Sequence, residues 1–380
     1  MNPPATWSPE AWARLLLCCV SEPGDPTLTE AVRLEGAVAV AESLTGSRAA
    51  TAWAKRAAGL DLGSVVAATE ACGARFITPA SPEWPEQVAE LDLAGPLGSF
   101  GGAPLGLWLR GPGDLAAMTG RTVAIVGSRA ATSYGERIAA DLGAELAAAG
   151  VTVVSGGAFG IDAAAHRGAM AAGGRTLCVL AGGVDQPYPR GNAALLEAIG
   201  EGHLLVSEVP PGAHPTRPRF LIRNRLIAGL TQATIIVEAA ARSGARNTVS
   251  WANLLGRMVL AVPGPVHSAM SVTPHELIRT QQATLVCDSA QVLELISPMG
   301  LATLPEIRGP QRVTDDLTES EIAVFEFIPG RGALAAGDLA LRAGLDMRST
   351  LVTLTRLADR GLVHQDAEGG WRLVSGSVPG

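Results

Sequence analysis

The chain has 380 residues, is 47% hydrophobic and carries a formal net charge of −7. That length suits about two to three domains, the acidic balance excludes a uniformly basic nucleic-acid binder, and no apolar run of about 18 residues escapes charge or Pro/Gly interruption, which excludes a membrane-spanning helix. The five cysteines (Cys18, Cys19, Cys72, Cys178 and Cys287) are scattered, with no Cys-x-x-Cys and no metal-ligand spacing. They read as small buried hydrophobes in a reducing cytoplasm.

The opening MNPPATWSPEAWARLLLCCV has an apolar patch but no basic stretch before it, and it carries Glu10 and Arg14. A signal peptide is therefore not expected. Helical spacing in EAWARLLLCCV, LTEAVRLEGAVAVAESL and ATAWAKRAAGL predicts a small helical domain over residues 1–75. A second domain is predicted over 76–296. Its opening stretch, to residue 115, is rich in Pro and Gly, contains one short strand at GLWLRG, and reads as a connector into a sheet.

From residue 121 the strands TVAIVG, VTVVSGG, TLCVLAGG, LLVSEV, ATIIVEAA and MVLAVPG alternate with helical patterns and Gly/Pro loops. Near-continuous apolar strands separated by crossovers predict an α/β fold with a parallel sheet covered on both faces. In such sheets ligands bind outside the carboxyl ends of the strands. The loops GSR, SGGAFG, AGGVDQPYPRGN, SEVPPG, EAAARSG and VPGPV all fall there. Residues 297–315 read as a linker. Residues 316–380 read as three helices and a hairpin, a winged-helix pattern, with Thr318 and Glu321 spaced for a capping box. Its third helix carries only Arg348 and Arg356 and its wing two acids. It is poorly equipped to read a duplex, and a protein-contact or structural role fits at least as well.

Val123 to Val126 run into Gly127-Ser128-Arg129 and then a helical pattern. Strand, tight turn and helix start make a phosphate cradle, because free N–H groups point out of the helix. The second and third glycines of a dinucleotide fingerprint are absent, and an arginine stands in the loop. In SGGAFGIDAAAH, Gly156, Gly157 and Gly160 precede a helix whose first turns hold Asp162 and His166. Asp162 suits a cap. His166, four residues on, suggests a structural pair with it rather than a metal or acid–base site, since no third ligand lies near.

HPTRPRFLIRNRLIAGLTQ, residues 214–232, is the informative stretch. It holds four arginines, one aromatic, Phe220, and no acid. Between Val209 and His275 seven arginines face a single acid, Glu238. Cations at intervals beside a flat ring suit single-stranded nucleic acid, where phosphates take arginine and bases take the ring. The alternative is a solvated basic helix start, or salt bridges to acids of another element. Glu238 reads as a residue that positions an arginine. Ser243-Gly244 makes another small-residue turn before a helix, and Thr273 with Glu276 suggests a cap for a later helix. The sequence contains no G-x-x-x-x-G-K-[ST], no H-E-x-x-H and no G-x-S-x-G. Many phosphate-friendly loops without a catalytic set favour binding over turnover.

IVGSR, SGGAFGIDAAAH, LAGGVDQPYPRGN, SEVPPG, PRFLIRNRLIAGL, IIVEAAARSGARNT and VPGPV, in this order, resemble the DNA-processing protein DprA (Smf) family over about residues 80–295. The resemblance implies an extended Rossmann-like fold flanked by a helical N-terminal domain and a C-terminal winged helix. It implies sequence-independent binding and protection of single-stranded DNA, a homodimer, and loading of the RecA recombinase during natural transformation. It implies no catalytic activity and no cofactor. Carried over by motif, the DNA-binding residues are Ser128, Arg129, Gly156, Gly157, Arg217, Phe220, Arg223, Asn224 and Arg225, with the amides of Gly156 and Gly157 as phosphate donors. Two departures stand out. The family's K-S-G-[ST]-[LM] is Arg242-Ser243-Gly244-Ala245-Arg246 here, and its G-x-N before the last helix is Thr273-Pro274-His275. The rival expectation is a nucleotide or nucleoside-phosphate hydrolase on a related scaffold, for which Glu238 would be the catalytic acid.

Overall fold

The computed structural model describes residues 7–46, 51–298 and 315–374. They belong to two compact units, Met1–Leu304 and Pro305–Gly380. The first unit opens with helices α1 (Pro9–Val20), α2 (Pro26–Glu35), α3 (Ala37–Gly46), α4 (Ala52–Ala58) and α5 (Leu62–Ala71). Ser8 and Asp25 cap α1 and α2 through their side-chain oxygens, each followed by a proline at the first helical position.

Then follow β1 (Ala74–Ile77), α6 (Glu90–Leu93), β2 (Leu107–Arg110), α7 (Leu115–Met118), β3 (Thr122–Val126), α8 (Ser133–Ala148), β4 (Thr152–Ser155), α9 (Ile161–Ala171) and β5 (Thr176–Leu180). The unit continues through α10 (Ala193–Gly202), β6 (Leu204–Ser207), α11 (Arg217–Gly229), β7 (Ala233–Ile236), α12 (Ala245–Leu254), β8 (Met258–Ala261), α13 (Val272–Arg279), β9 (Thr284–Leu285) and α14 (Ser289–Ile296). All six strands predicted from residue 121 onward are present.

The sheet has nine strands in the order β1-β2-β6-β5-β4-β3-β7-β8-β9. From β6 to β9 every pairing is parallel, with Val123 opposite Ala233 and Val126 opposite Ile236 at its centre. β1 and β2 form an antiparallel edge on β6. β1 replaces part of the predicted connector. Alternate residues of each central strand feed two cores. Ala124, Val126, Val154, Leu177 and Ile236 face one. Val123, Ile125, Val153, Ile235 and Leu260 face the other. A third cluster joins the N-terminal helices to the sheet, where Leu15, Leu17 and Leu28 share a core with Trp108, Cys178 and Leu205.

α8 and α9 cross closely because Gly168 has no side chain: a Cβ there would stand 2.0 Å from the carbonyl oxygen of Ala140. The second unit comprises α15 (Glu319–Phe325), α16 (Ala336–Ala343), α17 (Met347–Asp359) and the hairpin β10 (Val363–Gln365) and β11 (Trp371–Leu373). This is the winged-helix arrangement, and its first helix starts with the predicted Thr318–Glu321 capping box.

His166 does not pair with Asp162. Its Nδ1 lies 2.7 Å from Oγ1 of Thr176, a hydroxyl that already donates to the carbonyl of Val153. Thr176 must therefore accept, which places the proton on Nδ1 and leaves Nε2 bare and buried without a partner among the described residues. Burial, followed by the charges of His203, Arg223 and Arg167, lowers the His166 pKa from 6.5 to about 3. Between these values the unfolded chain binds a proton that the folded chain refuses. The stability contributed by neutral His166 is thus complete above 6.5 and is lost as pH falls toward 3. His203, also held low by burial, adds to the same slope. We expect the urea midpoint of His166→Asn to fall less steeply below pH 6.5 than that of the wild type; parallel declines would contradict the assignment.

Candidate nucleic-acid interface

β3 continues to β4 on one side of the sheet, whereas its other neighbour, β7, continues to β8 on the opposite side. The connections leave their carboxyl ends in opposite directions, and a crevice opens between them. The Ser128 amide donates to the Glu238 carbonyl across 2.6 Å, and the Ser128 carbonyl accepts from the amide of Ile161. The loop is thereby pinned, with Ser128 buried and Arg129 exposed.

The Glu238 carboxylate accepts from the Thr132 amide at 2.8 Å and from the Thr132 hydroxyl at 2.7 Å. Thr132 in turn caps α8. Glu238 is 2% exposed and positions a helix start, not an arginine as the sequence suggested. Thr273 likewise caps no helix: it is buried, and its hydroxyl donates to the carbonyl of Ala240.

α11 forms one wall of the crevice. Thr216 caps it and Pro218 occupies its first turn. Arg217, Phe220, Asn224 and Ile227, spaced three or four apart, line a cavity of about 1040 Å³. Across the cavity stand Ser128 and Arg129, and at its end Arg242, Ser243 and Gly244. The guanidinium carbon of Arg129 lies 4.7 Å from the centre of the Phe220 ring, a cation–π contact worth about 0.5–1 kcal/mol at an exposed site. The Tyr188 ring meets Phe220 at 5.7 Å and 52°. The lining contains four arginines (129, 217, 223 and 242) against one acid, Asp162. This wall is locally cationic in a chain of net charge −7.

Arg223 lies buried in the floor, where its Nη1 donates to the carbonyl of Val179. Gly156 provides the room: a Cβ there would come within 2.1 Å of Nη1. Asp162 accepts from the amides of Gly156 and Ala158 at 3.2 and 3.3 Å. Burial raises the Asp162 pKa, with the charge of Arg223 and those two amides pulling it back. The Asn224 amide nitrogen reaches Oδ1 of Asn247 at 3.2 Å and ties α11 to α12.

Three of the sequence-derived positions find other partners. Arg225 is fully buried and makes a bidentate pair with Glu208, both contacts at 2.6 Å. It does not reach the cavity, which corrects the expectation that Arg225 is a DNA-binding residue. The Gly156 amide is engaged by Asp162 and is not free for phosphate. Gly157 is buried, and its carbonyl accepts from Asn192 at 3.0 Å. Arg219, the remaining arginine of the stretch, is held by Glu22 through contacts of 2.8 and 2.9 Å. Salt bridges therefore account for two of the four arginines, and the crevice takes the other two. Sequence reasoning passed over Tyr188 and Arg242 as site residues, although both stand in stretches it had singled out. Among the described residues no group of three or more His, Cys, Asp or Glu is placed to hold a metal ion, and no helix is long and apolar enough to cross a membrane.

The fold and crevice define an extended Rossmann-like protein with a cationic, aromatic-edged cleft at its topological switch point. Residues 75–297 match the model of the family described as DNA recombination-mediator protein A. The chain is 46% identical over 304 residues to a putative DNA processing protein DprA of Mycobacterium tuberculosis, covering 80% of this chain and 77% of that one. It is 42% identical over 264 residues to protein Smf of Escherichia coli, covering 69% and 70%. DNA processing protein A from Streptococcus pneumoniae superposes with a TM-score of 0.63 at 28% identity, over 77% of this chain and 99% of that one. The Helicobacter pylori protein, whose structure is described for its single-stranded DNA binding mode, gives 0.50 at 25% identity over 58% and 95%. The chain belongs to the DNA recombination-mediator protein A family.

Removing one partner of a buried ion pair strands the other charge and costs about 3–5 kcal/mol, while replacing both with apolar groups is far milder. Glu208→Gln is expected to lower the urea midpoint sharply, and the Glu208→Leu/Arg225→Met double variant to regain most of the loss. Equal losses in the two would show that the pair does not act as a unit.

Proposed function

We propose that the cleft binds single-stranded DNA through its phosphates, without sequence preference, and that the protein protects such strands and loads the RecA recombinase on them during natural transformation and recombination. It acts in the cytoplasm as a homodimer, with no cofactor and no catalytic turnover. One observation carries the strand-binding reading: Arg129, from the first crossover loop, lies over Phe220 of α11, beside Arg217 in the same cavity. Side chains 88 and 91 positions apart in the sequence thus form one surface with cations for phosphates and rings for bases. The Helicobacter pylori relative, described for its single-stranded DNA binding, supports the same reading. RecA loading and dimerisation rest on family membership. The hydrolase alternative loses its candidate acid, because both oxygens of Glu238 are engaged by Thr132.

Each phosphate neutralised on a single strand contributes about −0.7 to the slope of log affinity against log salt. Arg129→Ala and Arg217→Ala should each weaken oligo-dT binding and flatten that slope by about 0.7 in fluorescence-anisotropy titrations from about 50 to 200 mM salt. Wild-type affinity and slope in both variants would remove the cleft from strand binding.

A further inference from the structure

A helix laid in a DNA groove needs cations and polar groups on its exposed face. α17 of the second unit presents something else. Its inner face, Thr350, Thr353, Leu354 and Leu357, is buried. Its outer face carries Met347, Leu351 and Val352, which are 50%, 44% and 48% exposed. Arg348, Val352, Thr355 and Asp359 are all exposed and recur at i, i+4, i+7 and i+11, one straight stripe along the helix. Among the described residues neither Arg348 nor Asp359 has an ion-pair partner. Both also oppose the dipole of their own helix, which favours acids in the first turn and cations in the last: Arg348 stands in the first turn and Asp359 in the last. Residues 315–374 hold ten acids against six arginines, a balance that repels a phosphate backbone.

We propose that the outer face of α17 docks on α17 of a second copy of this chain, packed antiparallel about a twofold axis that passes between residues 353 and 354. In such an isologous contact residue i meets residue j and j meets i. Arg348 then lies opposite the partner's Asp359, and Val352 opposite the partner's Thr355. Leu351 comes under the aliphatic stem of the partner's Arg356. Each charge that is misplaced on its own helix is matched by the opposite charge across the seam. The Thr355 hydroxyl already donates to the carbonyl of Leu351 at 2.9 Å, so it brings no unpaired donor into the contact. A parallel pair would set Arg348 against Arg348 and Asp359 against Asp359, so the stripe itself selects the antiparallel arrangement. The contact uses no residue of the cleft, and it joins chains with or without DNA.

The test uses the full chain without DNA, with Cys287→Ser to remove its exposed native thiol. Val352→Cys protein and Thr355→Cys protein, mixed and oxidised with diamide, should form a disulfide-linked heterodimer faster than either variant forms a homodimer. Asp359→Arg added to both should remove most of that yield, because arginine then faces arginine. Arg348→Asp added as well should restore it, because the pair is merely exchanged. All four positions are exposed, and the rescue guards against a folding defect. Oligo-dT affinity, measured in parallel, should stay at the wild-type level, so failure here and failure of the strand-binding reading are told apart. No heterodimer, or a heterodimer whose yield ignores both charge changes, would overturn the proposal. No heterodimer together with loss of duplex binding in Arg348→Asp would assign α17 to DNA instead.

Discussion

The hydrogen bond from the Ser128 amide to the Glu238 carbonyl, 2.6 Å long, clips together the two strand ends between which the cleft opens. Parallel strands β3 and β7 lie side by side at the centre of the sheet, and the chain leaves them toward opposite edges. Without a clip their loops would be free to splay. With it, and with Glu238 gripping the start of α8 through Thr132, Arg129 leaves the sheet from a fixed point. The charge that faces a ligand is mounted on rigid elements, which keeps down the conformational entropy lost on binding.

α11 shows how one helix serves two purposes. Arg217, Phe220 and Asn224 lie along the cleft, while Arg219 and Arg225 point to acids elsewhere in the unit. The Glu22–Arg219 pair ties the helix to the loop between α1 and α2. The Glu208–Arg225 pair ties it to the end of β6. Exposed pairs like the first contribute little individually, whereas the buried pair is costly to break and so fixes the rotation of the helix about its axis. That rotation decides which side chains face the cleft.

Most of the fold was legible because buried parallel strands are near-continuous apolar runs, as TVAIVG and ATIIVEAA show. β1 and β9 escaped because each is an edge strand of few residues, and the two residues of β9 are exposed, leaving no apolar run to read. At the site, Arg129, Arg217 and Phe220 were readable from motif and charge. Arg225 was not, since two arginines two positions apart look alike until the partner is known. That partner, Glu208, lies one residue before the acid-poor stretch in which the arginines were counted. The Gly156 amide misleads for a related reason: Asp162, which binds it, reads from the sequence as a cap of its own helix. Tyr188 gave no signal of its own, because nothing in YPRGN tells an exposed ring beside Phe220 from a buried one.

The central claim is spatial: a single strand lies in the crevice between the β3 loop and α11. Photocrosslinking of a bromodeoxyuridine-substituted single strand, with mass spectrometry of the adducts, tests it most directly. The account expects adducts on Tyr188 and within the segments 127–130, 217–227 and 240–245, which supply the side chains lining the cleft. Adducts confined to other surfaces, such as helix α17 of the second unit, would contradict it.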